Sequence, residues 1–256
     1  MLNIDIPNIE ELELVVLDSD GVCIPRGTSI MESEAHGRYD ISISTSTITP
    51  ELRDKINELT QYVPVMISSG RALLYLQVMY RGVVGVDLMA ENGSLVMSPN
   101  GYILTLLTTP PDYRTMMGRI RDDISLLPIL GFEPKQYILT VHSEEEYPEV
   151  YDIVGRYDDG GILQVMWNGE AFDIQPIVVS KGEGLRAYTE ITGVEMGKIL
   201  GIGDRVNDRA LLDVVGIPVS ADISELDAPY YTMGSGLPGE ILVDYLLEYY
   251  QGGRDV

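Results

Sequence analysis

The chain has 256 residues, 45% of them hydrophobic and 22% charged, the balance of a folded protein large enough for one big domain or a core plus a smaller module. Its formal charge of −23, from 17 basic against 40 acidic residues, argues against nucleic acid or an anionic membrane as partner, since both need clustered Lys and Arg. Cys23 is the one cysteine and permits no internal disulfide, and "MLNIDIPNIEELE" lacks a basic-then-apolar leader pattern, so a cytoplasmic location is expected.

In chain order, Glu13–Leu17 reads as a strand that stops at "DSDG", residues 18–21. Asp18 and Asp20, at i and i+2, point to the same side of the strand's end and crowd two carboxylates there. Residues 26–48 carry an alternation of Tyr39, Ile41 and Ile43 with Asp40, Ser42 and Ser44, with Ala35-His36-Gly37 as a turn. That segment is expected to be a β-hairpin flap within the core. Thr49 caps a helix running to about Tyr62, with Pro50 at its first position. "VPVMIS" (63–68) is a continuous apolar run suited to a strand buried on both faces. A helix over Arg71–Tyr80 and a strand over Val86–Ala90 complete a βαβαβ pattern. The fold class is therefore α/β, a doubly wound parallel sheet.

From Gly93 the pattern changes. "GSLVM" and "YILTLL" read as strands, followed by a helix near Pro111–Ile124, the strand "YILTVHS", a helix capped by Ser143 and running to about Arg156, and the strands "ILQVMWN" and "AFDIQP". This ββαβαββ run predicts an inserted α+β module over 93–174, leaving 1–92 and 175–256 as the core. After Ser180 the alternation resumes: a helix near Lys181–Thr192, the strand "KILGIG", a helix near Asn207–Val214, the strand "IPVSAD" and a last helix from Pro238 to about Tyr249.

The carboxyl ends of strands in a doubly wound sheet converge on one crevice. Asp18 and Asp20, then Ser69-Gly70-Arg71, then Asp204 and Asp208 in "GDRVND" stand at such ends, with Lys181 opening a helix nearby. Four acids meeting there predict a hard divalent cation, Mg²⁺, with water and phosphate oxygens filling its remaining positions. His36 and His142 have no metal-ligand spacing and read as rim residues. Trp167, Asn168 and Arg114 are weaker candidates for substrate contact.

"DSDGV", "SSGR", Lys181 in "SKGEG" and "GDRVND" resemble, in order, the four motifs of haloacid dehalogenase-superfamily phosphatases. "AENGS" at 90–94 is similar to the stretch that opens the cap in the Cof-type (IIB) branch, which includes archaeal phosphoglycolate, sucrose and mannosyl-phosphoglycerate phosphatases. The resemblance spans about residues 12–250, with Val22 standing where Thr is usual. It implies a dehalogenase-like core with an inserted specificity cap, and a phosphatase acting on a small phosphorylated metabolite. Asp18 is then the nucleophile that forms an aspartyl-phosphate, and Asp20 the general acid and base. Asp18, Asp20 (through its carbonyl), Asp204 and Asp208 would hold Mg²⁺, Asp208 either directly or from an outer position. Ser69, Gly70, Arg71, Lys181 and Asn207 would bind the substrate. The substrate is expected to be a small phospho-acid or a sugar phosphate, and the protein a monomer or homodimer. A phosphosugar mutase shares the first half-reaction, but "GDRVND" is less like the glycine-rich mutase motif. A phospho-accepting signalling domain is disfavoured by Asp20, which shortens the life of the intermediate. A degenerate binding protein is disfavoured because all four motifs keep their reactive residues.

Overall fold

A computed structural model describes residues 6–35, 38–106 and 109–252, with the side chains of 33–35, 38, 39 and 41 outside the description. The expected turn residues His36 and Gly37 also lie outside the described residues. The elements in chain order are β1 Leu14–Asp18, β2 Ser29–Ala35, β3 Arg38–Ser44, α1 Pro50–Leu59, β4 Val65–Ser68, α2 Leu73–Met79, β5 Val86–Ala90, β6 Leu95–Met97 and β7 Ile103–Thr105. They continue with α3 Tyr113–Ile124, β8 Gly131–Glu133, β9 Leu139–His142, α4 Pro148–Tyr157, β10 Leu163–Trp167, β11 Ala171–Pro176, α5 Lys181–Thr192, β12 Ile199–Gly203, α6 Arg209–Leu212, β13 Ile217–Ser220, β14 Tyr230–Tyr231 and α7 Pro238–Tyr250. No helix among the described residues is long and apolar enough to cross a membrane.

Two compact units emerge: Met1–Arg26, Ser46–Leu107 and Ser180–Val256 form the first, Gly27–Thr45 and Thr108–Val179 the second. The first contains an eight-stranded sheet in the order β14-β13-β12-β1-β4-β5-β6-β7. Pairing is parallel from β14 to β5 and antiparallel from β5 through β6 to β7. Strands β1, β4 and β12 are buried along their whole length, as uninterrupted apolar runs require. Leu14 and Val16 pack with Met66, Met89, Leu185 and Ile199 in one buried cluster. The chain lays β4 and β5 on one side of β1 and later β12 and β13 on the other, so strand order reverses beside β1. Crevices form at such a reversal. Thr49 caps α1 as its sequence predicts, its hydroxyl accepting from the Leu52 N–H at 3.2 Å.

The second unit holds the four-stranded antiparallel sheet β10-β11-β9-β8 and the hairpin β2-β3. Helices α3 and α4 bury Met117, Ile120, Val150 and Ile153 against Phe132, Val141, Phe172 and Ile174. The boundaries differ from the expected 93–174 insert in two ways. Strands β6 and β7 extend the first unit's sheet, because the two left-handed residues Glu91 and Asn92 reverse the chain and pair β6 back onto β5. The hairpin, expected as a flap within the core, groups instead with residues 108–179. The Glu32 N–H donates to the Leu130 carbonyl at 3.1 Å, and the Glu32 carboxylate accepts from the Phe132 N–H at 3.1 Å. Ser143 does not cap α4: its hydroxyl donates to the Glu145 carbonyl at 2.7 Å, and the helix starts at Pro148.

Helix α5 lies hard against the turn after β5. A Cβ built on Gly184 would come within 2.4 Å of the Gly93 Cα, and one on Gly93 within 2.6 Å of the Ser180 carbonyl. Helix propensity alone favours Ala over Gly by about 1 kcal/mol. The backbone contact reverses that sign. Gly184→Ala is expected to lower stability by about 1–3 kcal/mol, the usual cost of overpacking, read as a fall in the urea midpoint at constant m-value.

Candidate active site

Asp18 ends β1 in register with Ser68 at the end of β4 and is almost fully buried. After it the chain turns tightly: the Ser19 carbonyl accepts from the N–H groups of Val22, Cys23 and Ile24 at 2.9–3.3 Å. Gly21 occupies φ +92°, and a Cβ there would stand 2.1 Å from Asp204 Oδ2, so only glycine fits. This turn leaves the Asp20 side chain 17% exposed, facing Arg71, whose Nη2 donates to Asp20 Oδ1 at 3.0 Å.

The Ser69–Arg71 loop is clamped from β5. Asn92 N–H donates to the Ser69 carbonyl at 3.1 Å and Glu91 N–H to the Arg71 carbonyl at 3.0 Å. Glu91 (φ 49°) and Asn92 (φ 53°) are buried in left-handed conformations that disfavour larger side chains. Such strain persists where surrounding contacts impose it, often at functional sites. Ser69 Oγ accepts from the Arg71 N–H at 3.2 Å, which leaves its own proton available to a ligand. Gly70 is half-buried against the Asn92 side chain.

Lys181 opens α5, whose cap is the Ser180 hydroxyl accepting from Glu183 N–H at 3.1 Å. Its ammonium is buried and donates to Asp18 Oδ1 and, at 2.5 Å, to Asp208 Oδ1. Asp208 Oδ2 accepts from the N–H groups of Asp204 (3.0 Å) and Arg205 (3.2 Å). Asp208 therefore ties together β12's exit, the following turn and α5. Burial alone would lower the Lys181 ammonium, but Asp18 and Asp208 outweigh it and hold it protonated. Burial, with the charge of Asp208 behind it, pushes Asp18 well above the usual carboxylate range, and Lys181 only partly opposes this. Asp204 is raised for the same first reason, with Arg26 opposing.

Asp18, Asp204 and Asp208 each offer a carboxylate oxygen within 4.8 Å of the others. Oxygen donors in that number suit a hard divalent cation. The donor set fits Mg²⁺.

Of the residues expected from sequence, Asp18, Asp204, Asp208 and Lys181 come together directly, and Arg71 joins through Asp20. Asn207 does not join them: it is exposed on the 3-10 turn Val206–Asp208. Trp167 packs on Phe172 with ring centroids 4.6 Å apart, and Asn168 Oδ1 accepts from Glu170 and Ala171 N–H to close a turn, so both serve local structure. His142 is buried 3.5 Å from Glu133, and Arg114 is exposed. Sequence reasoning missed Arg26, whose Nη2 donates to both oxygens of Asp204 at 2.7 and 2.6 Å. A basic residue within a few positions of "DSDG" in so acidic a chain was the available signal.

Residues 129–222 match the family model of haloacid dehalogenase-like hydrolases. Phosphoglycolate phosphatase 2 of Saccharolobus solfataricus is 27% identical over 187 residues, 71% of this chain and 76% of that protein. A haloalkanoate-superfamily phosphatase from Bacteroides thetaiotaomicron superposes with a TM-score of 0.63 at 17% identity, covering 97% of this chain and 98% of that one. The C-terminal domain of trehalose-6-phosphate phosphatase from C. albicans gives 0.64 at 17% identity, covering 94% and 92%. Over residues 129–222 the chain is similar to the haloacid dehalogenase-like hydrolases.

Lys181 is the cation on which two buried carboxylates rely. Lys181→Met is expected to cost about 3–5 kcal/mol in chemical denaturation, the range for stranding buried charge.

Proposed function

We propose that this chain is a haloacid dehalogenase-family phosphatase that hydrolyses a small phosphorylated metabolite, a phosphoglycolate-like phospho-acid or a sugar phosphate, in a magnesium-dependent reaction through an acyl phosphate of Asp18. One observation carries the reading. Asp18 is buried with Oδ1 on Lys181, while Oδ2 has no protein partner among the described residues.

Asp18 Oδ2 attacks phosphorus as the bond to the leaving oxygen breaks, and Asp20 gives that oxygen its proton. Asp20 then takes a proton from a water molecule, whose oxygen attacks phosphorus. The acyl phosphate bond breaks, restoring Asp18 and releasing inorganic phosphate. Arg71 fixes the Asp20 carboxylate for both transfers, its Nη2 3.0 Å from Oδ1. Ser69 Oγ–H and the Gly70 N–H donate to phosphoryl oxygens, and Lys181 offsets charge on Asp18 and the phosphate. Asp18, Asp204 and the Asp20 carbonyl would hold magnesium, with Asp208 as outer anchor, and it would supply the positive charge that lets an anionic ester approach a carboxylate. The remainder is positioning, which the clamped loops provide. Residues 27–45 and 108–179 are proposed as the specificity module. The two substrate classes follow the phosphoglycolate and trehalose-6-phosphate phosphatases among its relatives and structural neighbours.

Release of p-nitrophenol from p-nitrophenyl phosphate is expected with Mg²⁺ and to vanish with EDTA. Asp18→Asn is expected to cut kcat by at least ~10³-fold, as loss of a nucleophile does. Turnover that survives the substitution would overturn the assignment of Asp18.

A further inference from the structure

Arg26 holds an arrangement that the proposed chemistry does not use. A single nitrogen, Nη2, serves both oxygens of Asp204 at 2.7 and 2.6 Å. A guanidinium has five N–H donors and commonly meets a carboxylate with two nitrogens. Here Nε and Nη1 donate to no protein group among the described residues, although the side chain is only 35% exposed. Nε instead lies over Gly21, where a Cβ would come within 2.8 Å of it. The guanidinium also feels the charges of Asp18 and Asp20, so it stands at the mouth of the nucleophile's site.

Two facts about Asp204 then conflict. Its carboxylate belongs to the trio suited to a divalent cation, and both its oxygens are covered by Arg26. A cation and a guanidinium cannot share those oxygens at such distances without repulsion. The cation's arrival would free Arg26 with all its donors unmatched, beside a bound phosphate ester. Free guanidinium donors in a partly buried crevice favour a planar anion.

We propose that Arg26 selects phosphate esters carrying a second anionic group, a carboxylate or a further phosphate, and that exchange with the cation at Asp204 releases it for this. The proposal rests on the magnesium-dependent reading above. It makes Arg26 a competitor of the metal before substrate binds and a specificity residue afterwards.

The test is Arg26→Met, measured in two ways. Calorimetric titration of the substrate-free protein with MgCl₂ is expected to show about tenfold tighter binding in the variant, the size of one charge-assisted hydrogen bond removed from competition. A residue that merely supported Asp204 would give weaker binding. Kinetics at saturating Mg²⁺ are expected to show KM for 2-phosphoglycolate raised about tenfold, again one charge-assisted hydrogen bond, with KM for p-nitrophenyl phosphate little changed. Equal or weaker magnesium binding in the variant overturns the exchange. An equal change in both KM values, or no turnover of 2-phosphoglycolate by the unaltered protein, overturns the selectivity. Absence of any magnesium binding in either protein overturns the magnesium reading and this proposal with it.

Discussion

The ammonium of Lys181, shared by Asp18 and Asp208, is the contact on which the first unit's active end depends. Two buried carboxylates, one at the end of β1 and one on the turn that follows β12, repel strongly when unscreened. A single cation between them converts that liability into a fixed geometry. The cation must come from elsewhere in the chain, and the helix that brings it must sit close to both strands. Gly182 and Gly184 allow this. A Cβ on Gly182 would stand 2.1 Å from the Ala210 carbonyl, as one on Gly184 would meet Gly93. "KGEG" is thus a cation followed by the two absences of side chain that let it reach its place.

The same contact explains why the site is locally unlike the rest of the molecule. A protein of charge −23 repels an anionic ester at long range. Close in, Lys181, Arg26 and Arg71 each lie against one or two of the four aspartates, so three cations offset most of the acid charge there. Each cation also restricts its carboxylate: Lys181 takes one oxygen of Asp18, Arg71 orients Asp20, and Arg26 covers Asp204. Charge neutralisation and orientation come from the same three side chains.

The strands and their carboxyl ends were legible because burial on both faces demands uninterrupted apolar runs, and "VVLD", "VMIS" and "ILGIG" have no other reading. The helix at Thr49-Pro50 was legible for a similar reason, since cap and first-turn residues act locally. Most of what escaped depended on distant partners, with the cap of α4 a local exception. Nothing within "HSEEEYP" shows that Ser143 will spend its hydroxyl on Glu145 and leave α4 to begin at Pro148. The strand pattern of "GSLVM" is right, but whether it extends the first sheet or starts another depends on the left-handed pair Glu91-Asn92 and on β5. The hairpin's alternation was visible, whereas its attachment through Glu32 to residues a hundred positions later was not. Arg26 belongs to the same class: its partner is Asp204, and only folding brings them together.

Strand β1 sits between β4 and β12, one contributed early in the chain and the other near residue 200. During synthesis the "DSDG" turn therefore emerges long before Lys181, Asp204 and Asp208 exist. Until they arrive, its aspartates are ordinary solvated carboxylates beside a strand with one neighbour missing. The surroundings of Asp18 are assembled only when residues 181–208 close on the turn after β1, a long-range step that is slow in folding. A nascent chain that stops short of Lys181 would thus hold β1, β4 and β5 without the cation that Asp18 meets in the folded protein.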